Sequence, residues 1–162
     1  MSPLVDVATD LLAELERTVP RLRAITEDRS QIPWAEGKWS RKQVLGHLID
    51  SALNNVHRFV RGQQGGELRF PDYDQPHWVA AGGYQERRFE DIVSVWAQLN
   101  HHLVEVIRRI PAEREEAPCR IGDSGVLTLG FIARDYMRHL RHHLGQILEP
   151  DRAGGRTHPP FA

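Results

Sequence analysis

Apolar residues recur along this chain at three- and four-residue intervals in four separate stretches, the spacing that places them on one buried face of a helix. In the first stretch Leu4, Leu11, Leu12, Leu15, Val19, Leu22 and Ile25 predict a helix over 4–27, which Pro20 is expected to kink or split. The second opens on Ser40 followed by Gln43, the form of a capping box. Val44, Leu45, Leu48, Ala52, Val56 and Phe59 then make one stripe that ends near Gly62. A third helix is predicted from Phe89 to Ile110 through Ile92, Val95, Trp96, Leu99, Leu103, Val106 and Ile107, and Pro111 stops it. The fourth starts at Thr128, a candidate N-cap, and continues through Ile132, Tyr136, Leu140, Leu144 and Ile147 to Leu148, just ahead of Pro150. No alternating pattern competes with these, so the fold class is all-α. Helices of this size are about 30 Å long, and four of them with apolar stripes pack most simply as a four-helix bundle.

Between the second and third helices lie some 26 residues rich in glycine, proline and aromatics, far more than a tight antiparallel turn needs. That length favours a crossover in which the second and third helices run parallel. Phe70, Tyr73, Trp78 and Tyr84 within it either wall a pocket or cover the end of the bundle. Residues 1–150 are expected to form one bundle domain. Asp151 to Ala162, with paired glycines and Pro159-Pro160, is expected to be a poorly ordered tail.

Composition narrows the function class. A chain of 162 residues with 40% apolar content suits one core and is short for two. Lys plus Arg number 21 against 22 for Asp plus Glu, with no long like-charged block, which speaks against a nucleic-acid partner. Cys119 is the only cysteine, so no internal disulfide forms. Asp6, Asp10 and Glu14 interrupt the segment where a secretion signal would need an apolar run, and a cytoplasmic location is expected. No stretch approaches the ~20 apolar residues of a membrane helix. Cys119 itself reads as an incidental thiol in a polar connection beside Glu115, Glu116 and Arg120. The expected partner is a small-molecule substrate, and exposed apolar positions on the first and third helices are where a homodimer would form. There is no Gly-x-Ser-x-Gly, no phosphate-binding glycine loop and no dinucleotide fingerprint.

The candidate chemistry lies in the histidines. His139 and His143 are one helical turn apart, so their imidazoles project from one face about 6 Å apart, within reach of one transition metal. On a helical wheel both sit at the edge of the stripe centred on Tyr136 and Ile147, while His142 is turned further out, toward Asp135 and Gln146. His47 occupies a strip of the second helix with Ser51, Asn54 and Arg58, which either lines a polar cleft or faces water. Spacing alone leaves both open. His57 is ten residues beyond His47, about 15 Å along the helix and too far for the same ion. His101 and His102 are adjacent and diverge, and His77 reaches the site only if the aromatic loop folds over it.

The run Lys38-Trp39-Ser40, the segment Val44-Leu45-Gly46-His47-Leu48-Ile49-Asp50-Ser51, the loop Phe70-Pro71-Asp72-Tyr73-Asp74 with Trp78, and the ending His139-Leu140-Arg141-His142-His143-Leu144-Gly145-Gln146-Ile147 together resemble the DinB/YfiT-like superfamily of metalloenzymes. The resemblance spans nearly the whole chain. It implies a four-helix bundle in up-down-down-up order and a divalent metal held by three histidines, which fall on His47, His139 and His143. Zinc or nickel are the first expectations for an all-imidazole site, and iron or copper also suit it. Characterised branches look like thiol-dependent transferases and isomerases that use bacillithiol, mycothiol or another low-molecular-weight thiol. The implied activity is therefore thiol S-transfer or metal-dependent hydrolysis. The alternative is a non-catalytic bundle in which an ion anchors a ligand or staples the helices. Asp50 and Asp135 are candidate acceptors for ligand N–H groups. Arg58 or Arg138 would anchor a carboxylate, or else sit in surface ion pairs.

Overall fold

Ser40 caps the longest helix as the capping box predicts: its side chain accepts from the Gln43 N–H, and the Gln43 side chain accepts from the Ser40 N–H at 2.9 Å. In the computed structural model, which describes residues 4–149, the elements follow in this order: α1 (Val5–Arg23), α2 (Glu27–Gln31), α3 (Arg41–Gly62), β1 (Leu68–Phe70), α4 (Gln75–Gly82), α5 (Phe89–Arg108), β2 (Pro118–Ile121), β3 (Leu127–Thr128) and α6 (Leu129–Leu148). The expected tail at 151–162 lies outside the described residues.

The four long helices are α1, α3, α5 and α6, and the side chains between their ends give the directions. Glu27, just after α1, accepts from Lys42 Nζ at 2.5 Å and from the Phe89 N–H at 2.8 Å, so α3 and α5 begin at the end of the bundle where α1 finishes. Arg41 Nε donates to the Ile147 carbonyl at 3.0 Å, which brings the last turn of α6 to the same end. The order is up-down-down-up, with α3 and α5 parallel. At the opposite end β1, after α3, pairs in parallel with β2, after α5, and β2 pairs antiparallel with β3.

Three expectations need correction. The first helix does not reach residue 27: Pro20 is accommodated in the last turn of α1, the helix stops at Arg23, and Thr26 caps the separate short α2. The long connection holds a further helix beyond the four expected, since Asp74 accepts from the His77 N–H and starts α4 with Pro76 in its first turn. The chain also has strands where none was expected. They are two to four residues long, too short to display an alternation, and the pairing joins segments as distant as Leu68 and Cys119. Cys119 is therefore fully buried in β2 rather than in a polar loop, and burial pushes its thiol pKa up. Among the described residues no helix is long and apolar enough to cross a membrane.

The core fills the space between the four helices. Trp96 and Ile92 of α5, Leu45 and Phe59 of α3, Leu11 and Leu15 of α1 and Tyr136 of α6 are all at most 1% exposed. Phe59 meets the edge of Tyr136 with ring centroids 6.3 Å apart, and the Tyr136 hydroxyl donates to Asn100 Oδ1 at 2.5 Å. Gly46 permits the closest approach: a Cβ there would strike the Tyr84 ring near its attachment point. Gly46→Ala gains about 1 kcal/mol of helix propensity but must displace a whole ring, and overpacking of that kind reaches about 3 kcal/mol. We expect a net loss of about 2 kcal/mol, read as a lower denaturant midpoint at unchanged m-value. A midpoint at or above the parent's would show that Tyr84 moves freely.

Candidate metal centre

Because α3 and α6 are antiparallel, the beginning of one faces the end of the other, and His47 meets the one-turn pair His139 and His143. The three rings stand edge to face, with centroids 5.0 Å (His47 to His139), 4.7 Å (His47 to His143) and 4.5 Å (His139 to His143) apart. One nitrogen from each lies within 4.8 Å of the others. His47 Nε2 and His139 Nε2 face each other at 3.1 Å. Two ring nitrogens at that distance either share one proton or direct two lone pairs at a common cation.

The donor set fits a divalent transition metal. Burial lowers the His47 pKa to about 4, so its imidazole is neutral near pH 7, the form that ligates. His143 Nδ1 lies 2.7 Å from Gln146 Oε1, an acceptor, so Nδ1 carries the proton and Nε2 keeps its lone pair for the cluster. The Gln146 amide nitrogen in turn contacts His142 Nε2 at 3.2 Å. His142 thus stands behind His143 rather than within the cluster. Among the described residues His47 Nδ1 is buried with no hydrogen-bond partner.

Exposure is asymmetric. His47 and His139 are 0% and 2% exposed, whereas His143 is half-buried. It opens on a surface cavity of about 230 Å³ lined also by Trp34, Gly37, Lys38, Trp39, Val44 and Gln146. Trp39 lies against His47 at 5.4 Å between centroids, and Lys38 Nζ sits over the Trp34 ring at 5.7 Å. Two imidazoles are shielded from water and the third is reachable. The role of Trp34 in this wall was not legible in the sequence.

The carboxylates are not placed as expected. Asp50 accepts from the Tyr84 hydroxyl at 2.6 Å, and among the described residues its Oδ2 is buried with no partner. Asp135 is ion-paired with Arg138 one turn along α6, so Arg138 is engaged within its own helix and not at the histidines. Arg58 is 2% exposed rather than a surface residue, and it lines a second cavity with the exposed His57. His77, His101 and His102 are exposed and outside the cluster.

Burial raises the Asp50 pKa from 3.8 to about 6, against the lowering effect of the Tyr84 hydrogen bond. A folded-state pKa above the unfolded value means the native state binds the extra proton between pH about 4 and 6. Its stabilising effect is full below that window and lost as pH rises through about 6. In metal-free protein, Asp50→Asn is expected to flatten the stability profile between pH 4 and 6 and to be the more stable form at pH 7. Parallel profiles in urea titrations across that range would refute this.

The sequence and the fold match known proteins. The family model described as the DinB superfamily matches residues 10–147. The "Putative metal-dependent hydrolase YfiT" of Bacillus subtilis (strain 168) is 22% identical over 152 residues, covering 93% of this chain and 84% of its own. The solved structure of YfiT from Bacillus subtilis, with its unusual four-helix bundle topology, superposes with a TM-score of 0.78 at 21% identity, over 94% of this chain and 86% of that one. The mycothiol-dependent maleylpyruvate isomerase superposes with a TM-score of 0.71 at 11% identity, over 90% of this chain but only 60% of the isomerase. With most of its length matched by the family model, the chain belongs to the DinB superfamily.

Proposed function

We propose that the chain is a metal-dependent enzyme whose divalent transition metal is held by His47, His139 and His143, and which catalyses thiol S-transfer or hydrolysis. The observation that carries this is the convergence of three imidazole nitrogens within 4.8 Å, beside a cavity of about 230 Å³ onto which only the half-buried His143 opens. A structural site is closed on all sides by protein, whereas a reactive one keeps a position for substrate. Held by neutral ligands, such an ion acidifies a bound water or thiol and polarises an oxygen substrate.

The protein's own residues prepare the site. Gln146 fixes the His143 tautomer, the low pKa of His47 keeps it unprotonated, and Trp39 shields the His47 ring from bulk water. The relatives support a metal-dependent or thiol-dependent reaction, one being named a "Putative metal-dependent hydrolase" and the other an isomerase that depends on mycothiol. The non-catalytic alternative predicts an ion without exchangeable water. The test is elemental analysis of protein purified without a nickel column or chelator, followed by assays of the metal-loaded protein with low-molecular-weight thiols and with simple esters, amides and lactones. About one transition metal per chain and turnover in one class supports the reading. No bound metal, even after zinc or nickel is added, overturns it.

A further inference from the structure

A second cavity, of about 340 Å³, opens between α3, α4 and β1. Asn54, His57, Arg58 and Arg61 line it from a single face of α3, at the i, i+3, i+4, i+7 spacing. Arg69, Phe70 and Pro71 close it from β1 and the residue beyond, and Trp78 from α4. Its volume lies within the range of small-molecule sites. The lining holds three guanidinium groups and an imidazole and no carboxylate.

The neighbouring acids lie outside the lining, although Glu67 pairs with the lining residue Arg69. Glu67 is 2.7 Å from Arg120 and 3.6 Å from Arg69, and Asp135 is paired with Arg138. Burial lowers the Arg58 pKa, and Tyr73, Asp72 and Asp135, none of which lines the cavity, act against it. The other wall is apolar: Phe70 is buried, and the Trp78 ring stays 37% exposed against Tyr73, at 5.1 Å between centroids.

We propose that this cavity binds a carboxylate or phosphate carried on a flat apolar body. The guanidinium groups of Arg58, Arg61 and Arg69 supply planar, paired donors that match an oxyanion, and the Trp78 face supplies the surface on which the body lies. Arg58 is three turns after His47 on α3, about 16 Å along the axis, so the cavity is separate from the histidine cluster. Binding at this cavity does not depend on the reading under Proposed function.

Calorimetric titration of the full chain with 2-naphthoate, 2-naphthyl phosphate, 2-naphthylmethanol and inorganic phosphate tests this. The two naphthyl anions are expected to bind at least tenfold more tightly than the alcohol, and whichever of them binds better identifies the oxyanion. Arg61→Ala/Arg69→Ala changes two exposed residues, so the fold is retained. It is expected to cost the anions at least tenfold while leaving the alcohol unchanged. Trp78→Ala is expected to weaken the naphthyl probes and leave inorganic phosphate unchanged. His139→Ala is expected to bind the anions as the parent does; a parent chain that takes up no added metal but binds the anions sinks the enzyme reading and keeps this one. Equal affinity for alcohol and anions, or an arginine double variant that binds like the parent, overturns the proposal.

Discussion

His139→Ala is expected to abolish transition-metal binding and turnover while leaving a folded helical chain. His139 is 2% exposed, and its Nε2 faces His47 Nε2 at 3.1 Å, so its loss removes one of the two buried imidazoles of the proposed ligand set. Loss of a partner standing behind a ligand typically costs 10–100-fold in metal affinity. Removing one of three ligands outright should cost more, about 1,000-fold or greater. Gln146→Ala, which only releases His143 Nδ1, should fall in the lower range. Elemental analysis beside circular dichroism separates the two effects. A His139→Ala protein that keeps one tightly held metal per chain would mean that the triad is not the ligand set.

Adding the metal is expected to raise thermal stability greatly, and chelation to reverse this without unfolding the chain. A ligand that binds only the native state contributes about 4 kcal/mol at a free concentration 1,000 times its Kd. For a chain of 162 residues each kcal/mol moves Tm by about 2–4 °C, so the rise is about 8–16 °C. The metal-free chain should remain folded, because the apolar core from Leu4 to Ile147 is assembled independently of the histidines. In His139→Ala the same addition should leave Tm unchanged. Unfolding on chelation would identify a structural staple instead of a reactive centre, and an unchanged Tm in the parent protein would count against any native-state metal site.

The resemblance already implied the three positions the structure brings together, and the reason is local. His139 and His143 lie on one continuous helix, where a four-residue spacing is a distance. The approach of His47 is different in kind. Its strip on α3 suited a polar cleft or open water equally, and only the antiparallel seating of α3 against α6 makes it fully buried. Asp50 shows the same dependence: it was a candidate partner for a histidine, but Gly46 lets the Tyr84 ring close on α3 and take that carboxylate. Arg138 and Arg58 were equivalent guesses until packing paired one with Asp135 and drew the other into a cavity.

The sequence by itself determined the four long helices, the Ser40 and Thr128 caps, the parallel crossover and the one-turn histidine pair. Each of these depends on residues within a turn or on the length of a connection, and such relations survive in a linear chain. Tertiary structure alone decided the pairing of β1 with β2, the burial of Cys119, the meeting of His47 with the pair on α6, and the gathering of three arginines around one apolar wall. These join positions some 50 to 95 residues apart, or side chains on separate elements. Their proximity follows from how the helices dock to bury their stripes, which no local pattern encodes.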